Sequence, residues 1–234
     1  LMPVLAPASV REIVELGLFG WALSRWCGSW VGFKLAGSIC EASATVPATF
    51  AGEFPEPSDF VFPADGVHLR WPDDPSAMEH RAKAVRLPAA QAFARAARID
   101  RQYGATGAAR LGLVAPGRAY GQLRQAFREL GIGDHDLARL GIRVCKPALV
   151  WPLEPERTLE FARGLDTVFV IEDKRPLVED QLKVLLFDRL RRDAPAVIGK
   201  RDERASALLP ESGEVDALHV AAEVARRLGL PQPR

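Results

Sequence analysis

The chain has 234 residues, of which 48% are hydrophobic and 26% charged, with a formal net charge of +1. This is an ordinary globular composition, with room for one large domain or one domain plus part of another. A near-neutral balance provides no field to gather nucleic acid or anionic lipid, and no apolar run approaches the ~20 residues of a membrane span. Cys27, Cys40 and Cys145 are odd in number and far apart, with neither a disulfide framework nor C-x-x-C spacing, which suits reduced thiols in the cytoplasm.

The chain opens on Leu1 and runs straight into an apolar segment, LMPVLAP, without the basic lead and long apolar core of a signal peptide. A piece of something longer is expected. Ser9 and Glu12 form a capping box, S-x-x-E, and Val10, Ile13, Val14, Gly17, Leu18 and Trp21 recur at helical spacing up to a stop at Cys27-Gly28. A strand is predicted over 30–35. One helix and one strand cannot bury Phe19, Trp21, Trp26, Trp30 and Phe33 between them. The segment is therefore expected to pack on the following domain or on a second copy, swapped or poorly anchored where its sheet partners are missing. Residues 47–75 read as a proline-rich linker pinned by Phe50, Phe54, Phe60, Phe62 and Trp71.

Ser76 and Glu79 suggest a second capping box, starting a helix that Pro88 must kink or restart. A regular alternation follows. Strands are predicted at 111–114, 142–150 (interrupted by Pro147), 168–171 and 196–198, with helices at 119–130, 155–162, 177–190 and 215–228. This pattern predicts right-handed βαβ crossovers and an α/β fold: a three-layer, doubly wound, mainly parallel sheet with room for an antiparallel edge strand.

The run TVFVIEDKRPLVEDQ carries the clearest functional signal. An apolar strand with Thr167 leading ends in Glu172, Asp173, Lys174 and Arg175, and Pro176 suits a first helical position. Carboxyl ends of strands in open α/β sheets face the crevice where ligands or partners sit. The plain reading is a solvated turn whose following acids, Glu179 and Asp180, favour the helix dipole. The alternative is a candidate interface whose mixed charges bridge domains, and composition alone does not choose. Gly117–Gly121 matches no nucleotide fingerprint and reads as a βα turn. His68, His80, His135 and His219 sit on different elements without partners at ligand spacing, and no G-x-S-x-G elbow is present. Cys145, inside a strand, reads as a buried inert thiol. No catalytic, cofactor-binding or metal-ligating residue is assigned.

The segments GLFGWALSRWCGSWVGFKLAGSICEASATV (17–46), HLRWPDDP (68–75), RLGLVAPGRAYGQLRQAFRELGI (110–132), WPLEPERTLEFARGLDTVFVIEDKRPLVEDQLKVLLF (151–187) and VIGKRDERASALLPESGEV (197–215) resemble the long, fused bacterial form of indolepyruvate ferredoxin oxidoreductase. The resemblance implies an internal fragment of a thiamine-diphosphate-dependent 2-oxoacid oxidoreductase. The parent would oxidatively decarboxylate an aryl or branched 2-oxoacid to the acyl-coenzyme A and reduce ferredoxin through iron–sulfur clusters, the cofactor carrying the carbanion chemistry. It further implies that 1–46 ends a pyrimidine-binding domain, that 47–75 is a linker, that 76–200 is a transketolase-C-terminal-like domain, and that 201–234 is a tail with a C-terminal helix. The family's catalytic glutamate and its diphosphate- and magnesium-binding motif have no counterpart here. The fragment is expected to serve domain and subunit organisation, bound to other domains or subunits of the parent, with self-association as a further expectation. The rival reading is a self-standing interaction or regulatory module that binds through residues 172–175.

Overall fold

The computed structural model describes residues 1–50, 52–68 and 70–233; Ala51 and Leu69 of the linker and Arg234 of the tail lie outside the described residues. In chain order the elements are β1 Val4–Leu5, α1 Val10–Cys27, β2 Gly32–Phe33, α2 Gly37–Cys40, α3 Pro75–Arg81, a π-helical turn Ala82–Arg86, α4 Leu87–Ala97, β3 Arg101–Gly104, β4 Leu111–Val114, α5 Arg118–Glu129, α6 Asp136–Arg139, β5 Ile142–Lys146, β6 Leu149–Trp151, α7 Pro155–Ala162, β7 Thr167–Val170, α8 Leu177–Leu190, β8 Ala196–Ile198 and α9 Ala217–Leu228.

The main sheet is five-stranded in the order β3-β5-β4-β7-β8, parallel throughout except for β3, which pairs antiparallel with β5. Period-two alternation divides the strand residues between two faces. Leu111, Leu113, Ile142, Val144, Phe169 and Ile171 pack under α5 and α9. Val114, Cys145, Val168 and Val170 pack under α7 and α8. The expected three-layer, mainly parallel architecture is the one observed, with β3 as the antiparallel edge. Gly112 admits the close approach of α7 and its following turn, because a Cβ there would collide with Leu165 at 2.5 Å and touch Phe161 at 3.0 Å.

The predicted strand 142–150 is two strands in two sheets. Pro147 supplies no N–H to a ladder, and the chain leaves β5 to run as β6 in a small sheet ordered β2-β1-β6. This sheet anchors the N-terminal segment within the same chain, correcting the expectation of a swapped or poorly held segment. Its aromatics divide. Phe19 is fully buried, stacked on Phe93 of α4 at 5.4 Å and edge-on to Phe54 at 5.2 Å, and Trp26 packs on Phe62 and Phe93 and donates to the Ala89 carbonyl. Trp21 and Trp30 face solvent. The linker aromatics and α4 thus supply the burial that the sequence pattern alone would seek in a missing sheet.

Several helix starts differ from expectation. α3 is capped by Asp74, whose carboxylate accepts from the Ala77 N–H, with Pro75 first in the helix, rather than by Ser76 and Glu79. Pro88 neither breaks nor restarts the helix, because the π turn just before it absorbs the missing donor. Pro176 is the cap of α8, not its first residue, and α9 is capped by Asp216.

The junction between the two sheets is polar and buried. Asp100 Oδ1 accepts from the N–H groups of Ala148 and Leu149 at 2.6 and 3.2 Å. Lys146 donates to Glu12 Oε2 at 2.5 Å, and the same carboxylate accepts the Ala8 N–H at 2.8 Å. Burial pushes the Asp100 carboxyl from 3.8 up to about 6, against the pull of those two N–H groups and of Lys146. The folded state therefore keeps this proton to a higher pH than the unfolded chain, and wild-type stability falls as pH rises from about 4 through about 6. Asp100→Asn retains the acceptor oxygen and removes the ionisation. Its unfolding free energy relative to wild type is expected to climb by about 2 kcal/mol between pH 4 and pH 7, at ~1.36 kcal/mol for each pH unit that separates the folded and unfolded carboxyl, and then level off. Urea denaturation across that range measures it, and a difference that does not change with pH would overturn the account.

Candidate functional site

In the main sheet the chain leaves β4 for β5 on one side and later reaches β7 on the other. The carboxyl ends of β4 and β7 therefore form a topological switch point, the place where open α/β sheets hold ligands or partners. A crevice of about 180 Å³ lies there. One wall is the turn Pro116-Gly117-Arg118 and another is the loop Glu172-Asp173-Lys174, while Lys34 to Gly37 of the N-terminal segment close the third side. Gly117 caps α5 at φ +51°, a conformation suited to glycine.

The four charges predicted together at this strand end are divided by the fold. Glu172 is buried, and its carboxylate accepts the Val178 and Glu179 N–H groups at 3.0 Å each, capping a helix whose formal cap, Pro176, has no polar side chain. Burial raises the Glu172 carboxyl above its ordinary value, opposed by those N–H groups and the nearby Lys34 and Lys200. Asp173 makes a bidentate pair with Arg118, at 2.9 and 2.7 Å, and accepts the Val215 N–H at 2.7 Å. Burial works against its ionisation, but Arg118 and Val215 outweigh it and hold the carboxyl below its usual range. Arg118 also donates to the Val215 carbonyl at 2.9 Å, so one ion pair fixes the starts of α5 and α9 to the end of β7. Lys174 and Arg175 point outward and are exposed.

Two further charged residues complete the arrangement: Lys200, not singled out in the sequence, and Glu179, read there only as an acid favouring the helix dipole. Lys200 donates to the Glu172 and Pro210 carbonyls at 2.6 and 2.9 Å, and burial lowers its ammonium below the ordinary value, with Glu172 and Glu179 opposing. Glu179 accepts the Lys200 N–H at 2.8 Å and pairs with Lys183 at 2.6 Å. Gly199 is required between them, since a Cβ there would overlap the Glu179 carboxylate. Arg118 was not identified from the sequence either, although a cation in a first helical turn opposes the helix dipole and so implies a nearby anion.

The predicted histidines are not brought to the crevice, and among the described residues no three His, Cys, Asp or Glu side chains are grouped to hold a metal ion. Cys145 is buried, and burial pushes its thiol far up, away from thiolate reactivity. Among the described residues the crevice presents charges already paired with one another, a rim of exposed cations, and no side-chain nucleophile beside a base.

Residues 100–231, from just before β3 to beyond α9, match the indolepyruvate oxidoreductase domain model. The chain belongs to this family. Within it, the chain is 28% identical over 125 residues to the indolepyruvate oxidoreductase subunit IorA of Pyrococcus abyssi, and 29% identical over 125 residues to that of Pyrococcus horikoshii. Each match covers 53% of this chain and 17% of the relative, so only about a sixth of those proteins is matched. The 2-oxoglutarate:ferredoxin oxidoreductase of Magnetococcus marinus, solved with 2-oxoglutarate, coenzyme A and succinyl-CoA bound, superposes with a TM-score of 0.61 at 14% identity, over 97% of this chain and 42% of that one. That likeness is one of fold. No helix among the described residues is long and apolar enough to cross a membrane.

In this family member the strand-end acids hold the domain together. Asp173→Ala, which leaves Arg118 and the Val215 N–H without their acceptor, is expected to lose roughly 2–4 kcal/mol of stability and to speed amide exchange at the start of α9. Glu172→Gln keeps one acceptor oxygen and is expected to cost less, about 1 kcal/mol. Denaturant titration with hydrogen exchange separates the two, and an Asp173→Ala protein as stable as wild type would refute the assignment.

Proposed function

We propose that this chain is a central segment of a cytoplasmic indolepyruvate ferredoxin oxidoreductase acting on aryl or branched 2-oxoacids, and that it organises domains and subunits rather than performing chemistry. The parent would use thiamine diphosphate with magnesium and iron–sulfur clusters, and pass acyl groups to coenzyme A and electrons to ferredoxin. Residues 76–200 would be the transketolase-C-terminal-like domain, 1–46 the end of the pyrimidine-binding domain, 47–75 the linker between them and 201–234 the tail. The observation that carries the reading is the family match over 100–231, joined to a strand-end crevice whose acids are committed within the domain.

The donor set does not fit the parent's cofactors. Glu172, Asp173 and Glu179 already accept backbone N–H groups or pair with basic side chains, so these three acids at the crevice offer no free carboxylate pair for a diphosphate-bound cation. Cys27 and Cys145 are buried and Cys40 is exposed, so four convergent thiolates are not on offer. Lys174 and Arg175, exposed beside the crevice, suit an interdomain or intersubunit contact that sets register through complementary charge.

Isothermal titration of the chain with thiamine diphosphate and magnesium is expected to give no saturable micromolar isotherm. In the parent enzyme, charge reversal of both Lys174 and Arg175 is expected to weaken assembly by about tenfold or more while correctly assembled molecules keep their turnover. A variant that retains assembly and cofactor content yet loses turnover by orders of magnitude would make the loop catalytic.

A further inference from the structure

α8 covers one face of the main sheet with Val178, Leu182 and Leu186, all buried. Its opposite face carries two exposed apolar side chains among charged ones. Phe187 is 75% exposed and Val184 62% exposed, one helical turn apart on the same stripe. A groove of about 520 Å³ runs beside them, lined by Lys183, Val184, Phe187, Ala194, Pro195 and Val197, large enough to receive a phenyl ring. The groove borders β8, the open edge of the sheet.

The charges around this face form a pattern. Asp180 lies four residues before Val184, and Arg191 lies four residues after Phe187, at the C-terminal boundary of α8. Both are exposed, and neither makes an ion pair among the described residues, whereas neighbouring Lys183 and Arg189 pair with Glu179 and Glu156. Asp188 in the groove lining and Arg192 and Asp193 beyond α8 are likewise exposed and make no ion pair among the described residues. Asp180 and Arg191, opposite in sign, are the two that flank the apolar pair four residues to either side, about 6 Å along the axis. A second α8 laid antiparallel across the first, with its two-fold axis between Val184 and Phe187, brings each Asp180 against the partner's Arg191. It also places the negative end of each helix dipole beside the positive end of the other. A face that is its own complement about a two-fold is the requirement for an isologous contact, and a heterologous partner would impose no such symmetry.

We propose that the outer face of α8 docks a second copy of this chain, the two helices antiparallel and Phe187 of each protomer seated in the groove beside the other's α8. Val184 forms the centre of the contact, and Asp180 and Arg191 set its register.

Sedimentation velocity over a concentration series tests this on the intact chain. Wild type is expected to show a reversible monomer–dimer equilibrium, and Phe187→Asp to weaken it by about 30-fold or more, as loss of a central aromatic anchor does. Asp180→Arg and Arg191→Asp are each expected to weaken it by about tenfold, and the double variant to return to within about threefold of wild type, because the reversed charges face each other again. All these positions are exposed, and circular dichroism is expected to leave every variant native; should Phe187→Asp lose its fold, the charge-swap set decides alone. A wild-type chain that stays monomeric, a dimer indifferent to Phe187→Asp, or a double variant no stronger than the singles would overturn the proposal, the first by assigning the face to a different polypeptide.

Discussion

The passage of one chain segment between two sheets is the constraint on which the rest of this structure depends. Lys146 ends β5, Pro147 cannot donate to a ladder, and Leu149 begins β6 in the other sheet. Such a crossing leaves backbone N–H groups without ladder partners, and the Asp100 carboxylate takes up two of them, those of Ala148 and Leu149. The crossing also buries the Lys146 ammonium, which is tolerable only with a partner, and Glu12 of α1 provides it. The buried charge that the switch creates is therefore neutralised by the N-terminal segment. That segment is held to the α/β domain by an ion pair, a small sheet and the Phe19–Phe93 stack together, and the crevice at the switch point acquires its third wall from it.

The strand-end loop shows how four consecutive charges can serve opposite purposes. Lys174 adopts φ 60°, left-handed for a non-glycine residue, at a cost on the order of 1–2 kcal/mol. The reversal turns the backbone so that Glu172 and Asp173 point into the domain while Lys174 and Arg175 point out. It persists because both ends of the loop are fixed, one by the Arg118–Asp173 pair and the other by the Glu172 cap on α8. Domain cohesion rests on the acids, and the cations remain available to a neighbour.

The parts of the fold visible in the sequence were those that rest on local rules. The bounds of α1, α7, α8 and β8 follow from capping residues, Pro155 and short apolar runs, and α/β alternation was enough to imply the parallel sheet. What stayed hidden depends on distant partners. β3 reads Arg-Gln-Tyr-Gly, with no apolar alternation, because an edge strand buries little. Glu12 looked like a capping residue and is one in part, with the Glu12 N–H donating to Ser9 at 3.3 Å, yet its carboxylate serves the Ala8 N–H and Lys146, a residue 134 positions away. The aromatic segment was misjudged because helical spacing identifies an apolar face but not the linker phenylalanines that cover it.

The same reasoning explains why the candidate site was visible in outline and not in detail. An apolar strand ending in charge marks the working edge of a doubly wound sheet from sequence alone. The roles of its charges depend on which neighbours the topology delivers: Arg118 from the strand beside it, Lys200 from the strand beyond, and Val215 from the segment entering α9. Three elements converge on a loop of four residues because β7 lies between β4 and β8, and any fold of this order brings their carboxyl ends to one edge. Charge there first satisfies the exposed helix starts and loop backbone that the architecture itself creates, and only what is left over is free to bind something else. In this domain the remainder is cationic and lies on the outer surface, an arrangement suited to contact with a neighbour rather than to holding a reacting group.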